Sequence, residues 1–230
     1  MYNAEVYMQE ILKALKKVFG GRLLYVGLQG SYLRGEATQD SDIDVVVVID
    51  ALSVQDLTAY KSVLSVLACP EKSCGFICGR EELQNWNPLE VCNFLHGSKT
   101  YYGTLSALLP QYTGEDVANF IKLSVGNMYH EICHRYVHAD LQKNMRKLPD
   151  SYRNVFFILQ SVQYLRTGIF YPTKKELISS LSDKDREAMK RASELKDAKN
   201  YDFEEYFHFL FAWCQNTLCT LPDVLKEAVI

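Results

Sequence analysis

The stretch that decides how this chain folds is Gly30-Ser31-Tyr32-Leu33-Arg34-Gly35-Glu36-Ala37-Thr38-Gln39-Asp40-Ser41-Asp42-Ile43-Asp44, which runs into the apolar segment Val45 to Ile49. Asp42 and Asp44 are separated by one residue, so an extended backbone points both carboxylates to the same face. Two carboxylates at the edge of a sheet bind a hard divalent cation, and a Gly-Ser turn close by binds phosphate. The stretch therefore predicts metal-assisted chemistry on a nucleotide.

The composition of the whole chain limits the classes of partner. Of its 230 residues, 48% are hydrophobic and 23% are charged, and the formal net charge is −3. Proteins that coat nucleic acids carry a clear basic excess, so we expect no nucleic-acid partner. The N-terminus lacks a basic segment followed by an apolar run, and no apolar stretch has the length of a bilayer span. We therefore expect a cytoplasmic protein with no membrane association.

The first half has the pattern of a small α/β unit. A predicted amphipathic helix ends at Gly20-Gly21, a strand follows at Leu23 to Leu28, and a second strand covers Ile43 to Ile49. That second strand is almost continuously apolar, as in a sheet covered on both faces. Short strands are predicted near Gly75 to Cys78 and Thr100 to Tyr102. Between the second and third strands, a capping box at Ser53 opens a helix whose predicted apolar face is Leu57, Tyr60, Val63, Leu64 and Leu67.

The second half has long helical periodicity. We predict helices in five places: from about Thr113 to Tyr136, Tyr152 to Thr167, from Thr173 with a capping box, Ser182 to Lys199, and Phe203 to Leu218. The fold class is therefore α+β. Residues 1–112 form an α/β domain with a mixed sheet, and residues 113–230 form a helical bundle.

The residues Gly30-Ser31, Arg34-Gly35 and Ser41-Asp42-Ile43-Asp44 resemble the signature of the DNA polymerase β-like nucleotidyltransferase superfamily. More narrowly, they resemble its stand-alone bacterial members, which include the aminoglycoside and lincosamide nucleotidyltransferases. The pattern covers about one-fifteenth of the chain but is specific. The helical half resembles, more weakly, the substrate-binding domain of the aminoglycoside adenylyltransferases, through Arg153-Asn154-Val155 to Gly168 and the spacing of Pro172 to Lys174.

The resemblance implies a metal-dependent enzyme that transfers a nucleoside monophosphate, AMP from ATP, to a hydroxyl group of a small molecule such as an antibiotic. Asp42 and Asp44 would be the catalytic residues and would bind Mg²⁺, at a two-ion site when nucleotide is present. Gly30 and Ser31 would bind the triphosphate. Residues 113–230 would bind the acceptor.

Two basic residues are further candidates for binding phosphate. Arg34 stands about one helical turn after the Gly-Ser pair and would reach the same phosphates, or would pair with Glu36 or Asp40 at the surface. Lys174 lies in the first turn of a predicted helix, where the helix dipole disfavours a cation. A nearby phosphate would account for that position, although a solvated lysine accounts for it as well.

The chain departs from the family pattern at the third acidic residue. The family carries a further carboxylate on the next strand, as a metal ligand or as the base for the acceptor hydroxyl. The corresponding strand here is Ser73 to Cys78, which contains no carboxylate. The nearby acids are Glu71, Glu81, Glu82 and Glu90. One of these would move in, or the helical domain would supply the base, or the chain would have lost activity.

A second pattern, His130-Glu131-Ile132-Cys133-His134, matches the H-E-x-x-H sequence of zinc proteases. A zinc protease takes a third ligand from beyond the helix, and the sequence offers His138 only one turn further along the same helix. The pattern therefore indicates a polar helix face, which is solvated or faces an acceptor.

Two other functions fit the same sequence. One is a nucleotide-binding module of this fold that has lost catalysis, and the other is a protein-modifying nucleotidyltransferase of the toxin–antitoxin type. The acceptor, the preferred base of the nucleotide and the oligomeric state stay open, and a homodimer is one option.

Overall fold

A computed structural model describes residues 2–198, 200–226 and 228. The chain divides into two compact units, Met1–Gln111 and Tyr112–Ile230. The first unit contains a four-stranded sheet with helices, and the helices of the second unit follow one another without a described strand. The predicted α+β fold class is therefore confirmed.

The sheet of the first unit has the strand order β3-β2-β1-β4. Its strands are β1 (Leu23–Gln29), β2 (Ile43–Ile49), β3 (Ser73–Gly79) and β4 (Lys99–Tyr102). β2 pairs with β3 in parallel, whereas β1 pairs antiparallel with both β2 and β4, so the sheet is mixed as predicted. The helices of this unit are α1 (Ala4–Phe19), α2 (Gly30–Leu33), α3 (Val54–Ser65), α4 (Arg80–Gln84) and α5 (Pro88–His96).

One face of the sheet forms the main core with α1 and α3. Alternate residues of β2, which include Val45 and Val47, are buried there against α1 residues such as Ile11 and Leu15. Val46 and Val48, which point to the opposite face, are buried as well, and burial on both faces explains why β2 is an almost continuous apolar run. Helix α1 begins at the cap Asn3, whose side chain accepts hydrogen bonds from two backbone amides.

Helix α3 begins with the predicted capping box, and its predicted apolar face is buried or half-buried except at one residue. Ser53 and Asp56 cap the helix reciprocally, and Tyr60 and Val63 are buried. Leu57, predicted to lie on the apolar face, is 44% exposed. The physical reason is that Asp56, and not Leu57, occupies the buried position in the first turn of the helix. Arg22 holds it there, with its Nη1 2.7 Å from Asp56 Oδ1.

The other face of the sheet is covered by α4 and α5. Phe76 of β3 packs edge-on against Trp86 and Phe94, with ring centroids 5.2 and 5.8 Å apart. In the register of the sheet, Phe76 lies beside Val46 of β2, so both side chains occupy this face. Asp44, two residues before Val46, lies on the same face.

The second unit contains five helices among its described residues. They are α6 (Gly114–His138), α7 (Leu141–Thr167), α8 (Lys174–Ser180), α9 (Asp183–Asp197) and α10 (Phe203–Lys226). The capping box at Thr173 is present at the start of α8. Helix α9 was expected to run to Lys199, a position outside the described residues. Helix α10 continues past the predicted end at Leu218.

Helix α7 begins eleven residues before the predicted start at Tyr152, and it contains Pro149. Asp140 caps the helix by accepting a hydrogen bond from the amide of Lys143 at 2.8 Å. A proline in a helix lacks the amide that would bond to the carbonyl four residues earlier, here Met145. The hydroxyl of Tyr201 donates to that carbonyl instead, at 2.5 Å. This tertiary hydrogen bond is one reason the proline is tolerated.

Within the part of the chain that is described, no helix combines the length and the apolar character needed to cross a bilayer.

Candidate active site

Asp42 and Asp44 lie at the N-terminal end of β2. Asp42 immediately precedes the strand and is exposed, and Asp44 is its second residue and is half-buried. Asp44 lies between Gln29 of β1 and Cys74 of β3 in the register of the sheet. Desolvation and the charges of Asp44 and Asp42 raise the pKa of the Cys74 thiol, which also hydrogen-bonds to the Asp44 carboxylate. The sheet therefore brings the two carboxylates and this thiol together.

The Gly-Ser turn contacts the same carboxylate. Gly30 begins the short helix α2 directly after β1, and its φ is +71°, a conformation that side-chain-bearing residues rarely adopt. A β carbon at this position would collide with the Asp44 carboxylate. Ser31 follows in the first turn, where backbone amides have no acceptor within the helix. Glycine is required here because backbone and carboxylate approach each other so closely.

The structure gives the other two predicted phosphate-binding residues different surroundings. The Nε of Arg34, at the end of α2, lies 3.2 Å from the Glu36 carboxylate, and both residues are half-buried. The pairing that the sequence left open is therefore present. Lys174 belongs to the second unit, in the first turn of α8, and its Nζ lies 5.9 Å from the centroid of the Phe156 ring. The roles of Arg34 and Lys174 in binding phosphate stay predictions.

The position of a third carboxylate is decided by the parallel register of β2 and β3. Asp44 pairs with Cys74, whereas Ile49 pairs with Gly79 at the other end of the strands. The Glu82 carboxylate lies against Gly79. Five residues of strand separate Cys74 from Gly79, which corresponds to about 16 Å. Glu82 is therefore at the wrong end of β3 to join Asp44.

The structure also gives the positions of the other three candidate acids. Glu81 opens α4 together with Glu82, beyond the same far end of β3. The carboxylate of Glu90 accepts a hydrogen bond from the indole of Trp86 at 2.6 Å. Glu71 lies in the 3-10 turn just before β3, and of the four candidates it is the one at the Cys74 end of that strand.

The donor set at β2 suits magnesium better than a transition metal. Among residues 2–198, 200–226 and 228, no group of three or more His, Cys, Asp and Glu side chains is arranged to hold a metal ion. Mg²⁺ is usually bound by one or two carboxylates together with substrate phosphates. Asp42 and Asp44 beside the Gly30 turn match that donor set.

The segment that carries Gly30, Asp42 and Asp44 is similar to a known protein family. Residues 8–68, which run from within α1 through β1, the Gly-Ser turn and β2 to the end of α3, match the family model described as nucleotidyltransferase domain. This segment is therefore similar to nucleotidyltransferase domains. The two carboxylates and the turn that contacts them lie inside it, and Cys74 lies a few residues beyond its end.

Two further proteins are similar to this chain. A Methanocaldococcus jannaschii protein, whose name proposes that it is a protein adenylyltransferase, is 44% identical over 48 residues, which is 21% of this chain. The chain spans about half of the length of that relative, 48%. The crystal structure of spectinomycin adenyltransferase AAD(9) from Enterococcus faecialis with ATP and spectinomycin matches over 94% of this chain and 100% of its own, with 17% identity and a TM-score of 0.57. The shared fold thus extends beyond residues 8–68 into the helices of the second unit.

Sequence reasoning missed the segment that surrounds Gln29, the neighbour of Asp44 in the sheet. The Gln29 amide donates to Ser98 Oγ at 2.7 Å and approaches the carbonyl of Phe94 at 3.5 Å. His96 lies between these two residues, and burial lowers the pKa of its imidazole, which is therefore neutral at pH 7. A polar residue at the end of the apolar strand β1 was the available signal for Gln29, but the contact with residues 94–98 is not visible in the sequence.

The H-E-x-x-H pattern lies on α6 in the second unit. His130, His134 and His138 are all exposed, as expected for a polar helix face. The carboxylate of Glu131, which would be the general base of a zinc protease, is engaged with the guanidinium group of Arg135. This arrangement gives the zinc-protease interpretation no support.

Proposed function

We propose that this protein transfers AMP from ATP to a hydroxyl group of a small-molecule acceptor. The observation that carries the proposal is the contact between the Gly30 turn and the Asp44 carboxylate, with Asp42 beside it, inside a segment similar to nucleotidyltransferase domains. In the proposed reaction this turn would bind phosphate beside two carboxylates that would hold Mg²⁺. Antibiotics with free hydroxyl groups are the first acceptors to test.

Each residue of the site has a proposed role in that reaction. Asp42 and Asp44 hold Mg²⁺ together with the phosphates of ATP. Ser31 donates its hydroxyl and backbone amide to the terminal phosphates, and Gly30 lets them approach the backbone. The acceptor hydroxyl attacks the α-phosphorus, the bond to the β-phosphate oxygen breaks, and pyrophosphate leaves. When bound, Mg²⁺ would neutralise part of the charge that develops on the phosphates.

The proton of the acceptor hydroxyl needs a base, and β3 does not supply one in the form of a carboxylate. The Cys74 thiol, with its raised pKa, is protonated at neutral pH and does not serve. We propose that the base comes from outside the two strands, either from Glu71, which lies just before β3 at the Cys74 end, or from the acceptor itself. Loss of this base without replacement would leave a nucleotide-binding module, which is the second candidate function.

The known proteins support the proposal to different degrees. The AAD(9) structure, which was determined with ATP and spectinomycin, shares the fold and supports a small-molecule acceptor. The archaeal relative is named for adenylyl transfer to protein, and its similarity is confined to a short segment. That name supports protein modification as the other alternative.

The deciding experiment follows the label from ATP labelled at the α-phosphate, in the presence of Mg²⁺. The purified protein is incubated with aminocyclitol and aminoglycoside antibiotics, and in parallel with a protein extract. Label on a small molecule supports the proposal, and label on a protein band supports protein modification. Thermal stabilisation by ATP and Mg²⁺ without transfer supports the binding module. Absence of any ATP binding at millimolar concentration would overturn all three.

A matched pair of variants ties the result to the site. Asp44→Asn removes one proposed metal ligand, whereas Asp40→Asn removes the same charge from the exposed loop two residues before Asp42. We expect ATP with Mg²⁺ to stabilise the Asp40→Asn variant as it stabilises the parent protein. The Asp44→Asn variant should show no such stabilisation.

A further inference from the structure

The nucleotidyl transfer proposed above makes no use of three histidines on α6. His130, His134 and His138 are spaced by four residues, so they lie one above another on one face of the helix. All three are exposed. The ring centroids of His134 and His138 are 4.7 Å apart, and those of His130 and His134 are 6.0 Å apart. The two pairs therefore differ in how closely their rings approach.

The shorter of these distances suits two ligands of one metal ion. An imidazole nitrogen binds Zn²⁺ at about 2.0–2.1 Å, which puts the centroids of two neighbouring ligand rings roughly 4.5–5.5 Å apart. The rings of His134 and His138 fall within that range without a change of backbone. The pair His130 and His134 is too widely spaced in this conformation.

The charges around the pair favour a cation. His138 is the last residue of α6, so the pair lies in its final turns, where the exposed carbonyl groups carry partial negative charge. Arg135, the charged residue between the two histidines, is buried and donates to Glu131 and to Ser151 Oγ. Its guanidinium group is thus turned away from the histidine face.

We propose that His134 and His138 form a binding site for a borderline divalent transition metal, with Zn²⁺ and Ni²⁺ as the probes. Imidazole is a preferred ligand of these ions, whereas Mg²⁺ prefers oxygen. No third protein ligand completes the set among the described residues, so water occupies the remaining positions. This proposal does not rest on the proposed nucleotidyl transfer.

Metal binding at this pair has a structural consequence. The ion links two successive turns at the end of α6, next to the corner where the Asn144 side chain donates to the carbonyls of Arg135 and Ala139. An ion that binds the folded state and not the unfolded chain stabilises the fold in proportion to the logarithm of its concentration above its Kd. Zn²⁺ should therefore raise the midpoint of thermal unfolding of the protein.

The test is a titration of the full chain with ZnCl₂ and with NiSO₄ near pH 7.5, because imidazole binds metal ions in its neutral form. Binding is measured by calorimetry, and the zinc titration is followed by the NMR signals of the histidine rings, which separates binding at histidine from binding at cysteine. The variants are His134→Asn and His138→Asn, and the matched control is His130→Asn. MgCl₂ is the negative control ion.

We expect perturbation of the His134 and His138 ring signals, at least a tenfold rise in Kd for either variant of the pair, and a Kd within twofold of the parent for His130→Asn. All three side chains are exposed, so each variant should fold, and equal unfolding midpoints in EDTA check this. If one of the two fails to fold, the other alone decides. Binding that survives loss of His134 or His138, that depends equally on His130, or that is weaker than millimolar would overturn the proposal.

Discussion

The two ends of β3 differ in chemistry although the strand is only seven residues long. At its first end Cys74 lies beside Asp44, with Asp42 and the Gly30 turn close by. At its last end the Glu82 carboxylate lies against Gly79. The Glu82 carboxylate thus lies at the end of β3 away from the Gly30 turn, and a thiol lies beside Asp44 where the family resemblance implies a carboxylate.

This difference shows why distance along the chain is a poor guide to a catalytic set. Glu82 is eight residues from Cys74 in sequence, and Asp44 is thirty. The parallel pairing of β2 with β3 nevertheless makes Asp44 the neighbour of Cys74. The comparison predicts that substitutions at the Cys74 end change nucleotide chemistry, and that those at the Gly79 end do not.

The largest effect is expected for Asp44→Asn. Loss of a charged ligand at a site that stabilises developing charge should lower the rate of AMP transfer by at least about 100-fold. The rate is measured as pyrophosphate release with the acceptor identified above. A rate within tenfold of the parent would show that the Cys74 end of the sheet is not the reaction centre.

The second largest effect is expected for Cys74→Asp, which tests whether a carboxylate on β3 can be restored. Cys74→Asp puts a carboxylate beside Asp44, and a positioned base contributes about 10²–10⁴ to rate in general. We expect a rise in pyrophosphate release of at least about tenfold when Mg²⁺ is present, and a lower unfolding midpoint without Mg²⁺ because like charges then face each other. The isosteric control Cys74→Ser should change neither quantity by more than about twofold. An inactive, stable Cys74→Asp variant would contradict the assignment of this position.

Gly30→Ala tests the close contact between the backbone of the turn and the Asp44 carboxylate. An alanine at a φ of +71° costs about 1–2 kcal/mol in conformation, and its methyl group would also displace the Asp44 carboxylate. We expect a lower free energy of unfolding in urea and a loss of ATP-dependent stabilisation. Gly35→Ala is the control: its φ is +67°, but a β carbon there meets no atom within 4 Å. It should therefore share the loss of stability and keep ATP binding.

The smallest effect is expected at the other end of β3. Glu82→Gln should leave the rate of transfer and the Kd for ATP within about twofold of the parent, since its carboxylate lies about 16 Å along the strand from Cys74. Both quantities are measured in the assay used for Asp44→Asn. A loss of activity comparable to that of Asp44→Asn would mean that the far end of β3 takes part in the site.

Most of the first unit was predictable because local patterns and the core agree. The apolar run of β2, the capping box at Ser53 and the turn at Gly30 each specify their element through a few neighbouring residues. The start of α7 was not predictable, because the sequence around Pro149 does not reveal that the Tyr201 hydroxyl compensates for the proline. The exposure of Leu57 was missed for a similar reason, since it follows from an ion pair with distant Arg22.

The sequence by itself determined the α+β class, the strand that carries Asp42 and Asp44, and the absence of a carboxylate from β3. Helical periodicity, capping residues and the alternation of side chains along a strand each depend on a few neighbouring residues. They can therefore be recognised without the tertiary structure. Only the tertiary structure decided that Gly30 contacts the Asp44 carboxylate, that Cys74 and not Glu82 is its neighbour, and that Gln29 joins residues 94–98 to the site. These facts depend on strand register and on contacts between residues far apart in the chain, which no local pattern encodes.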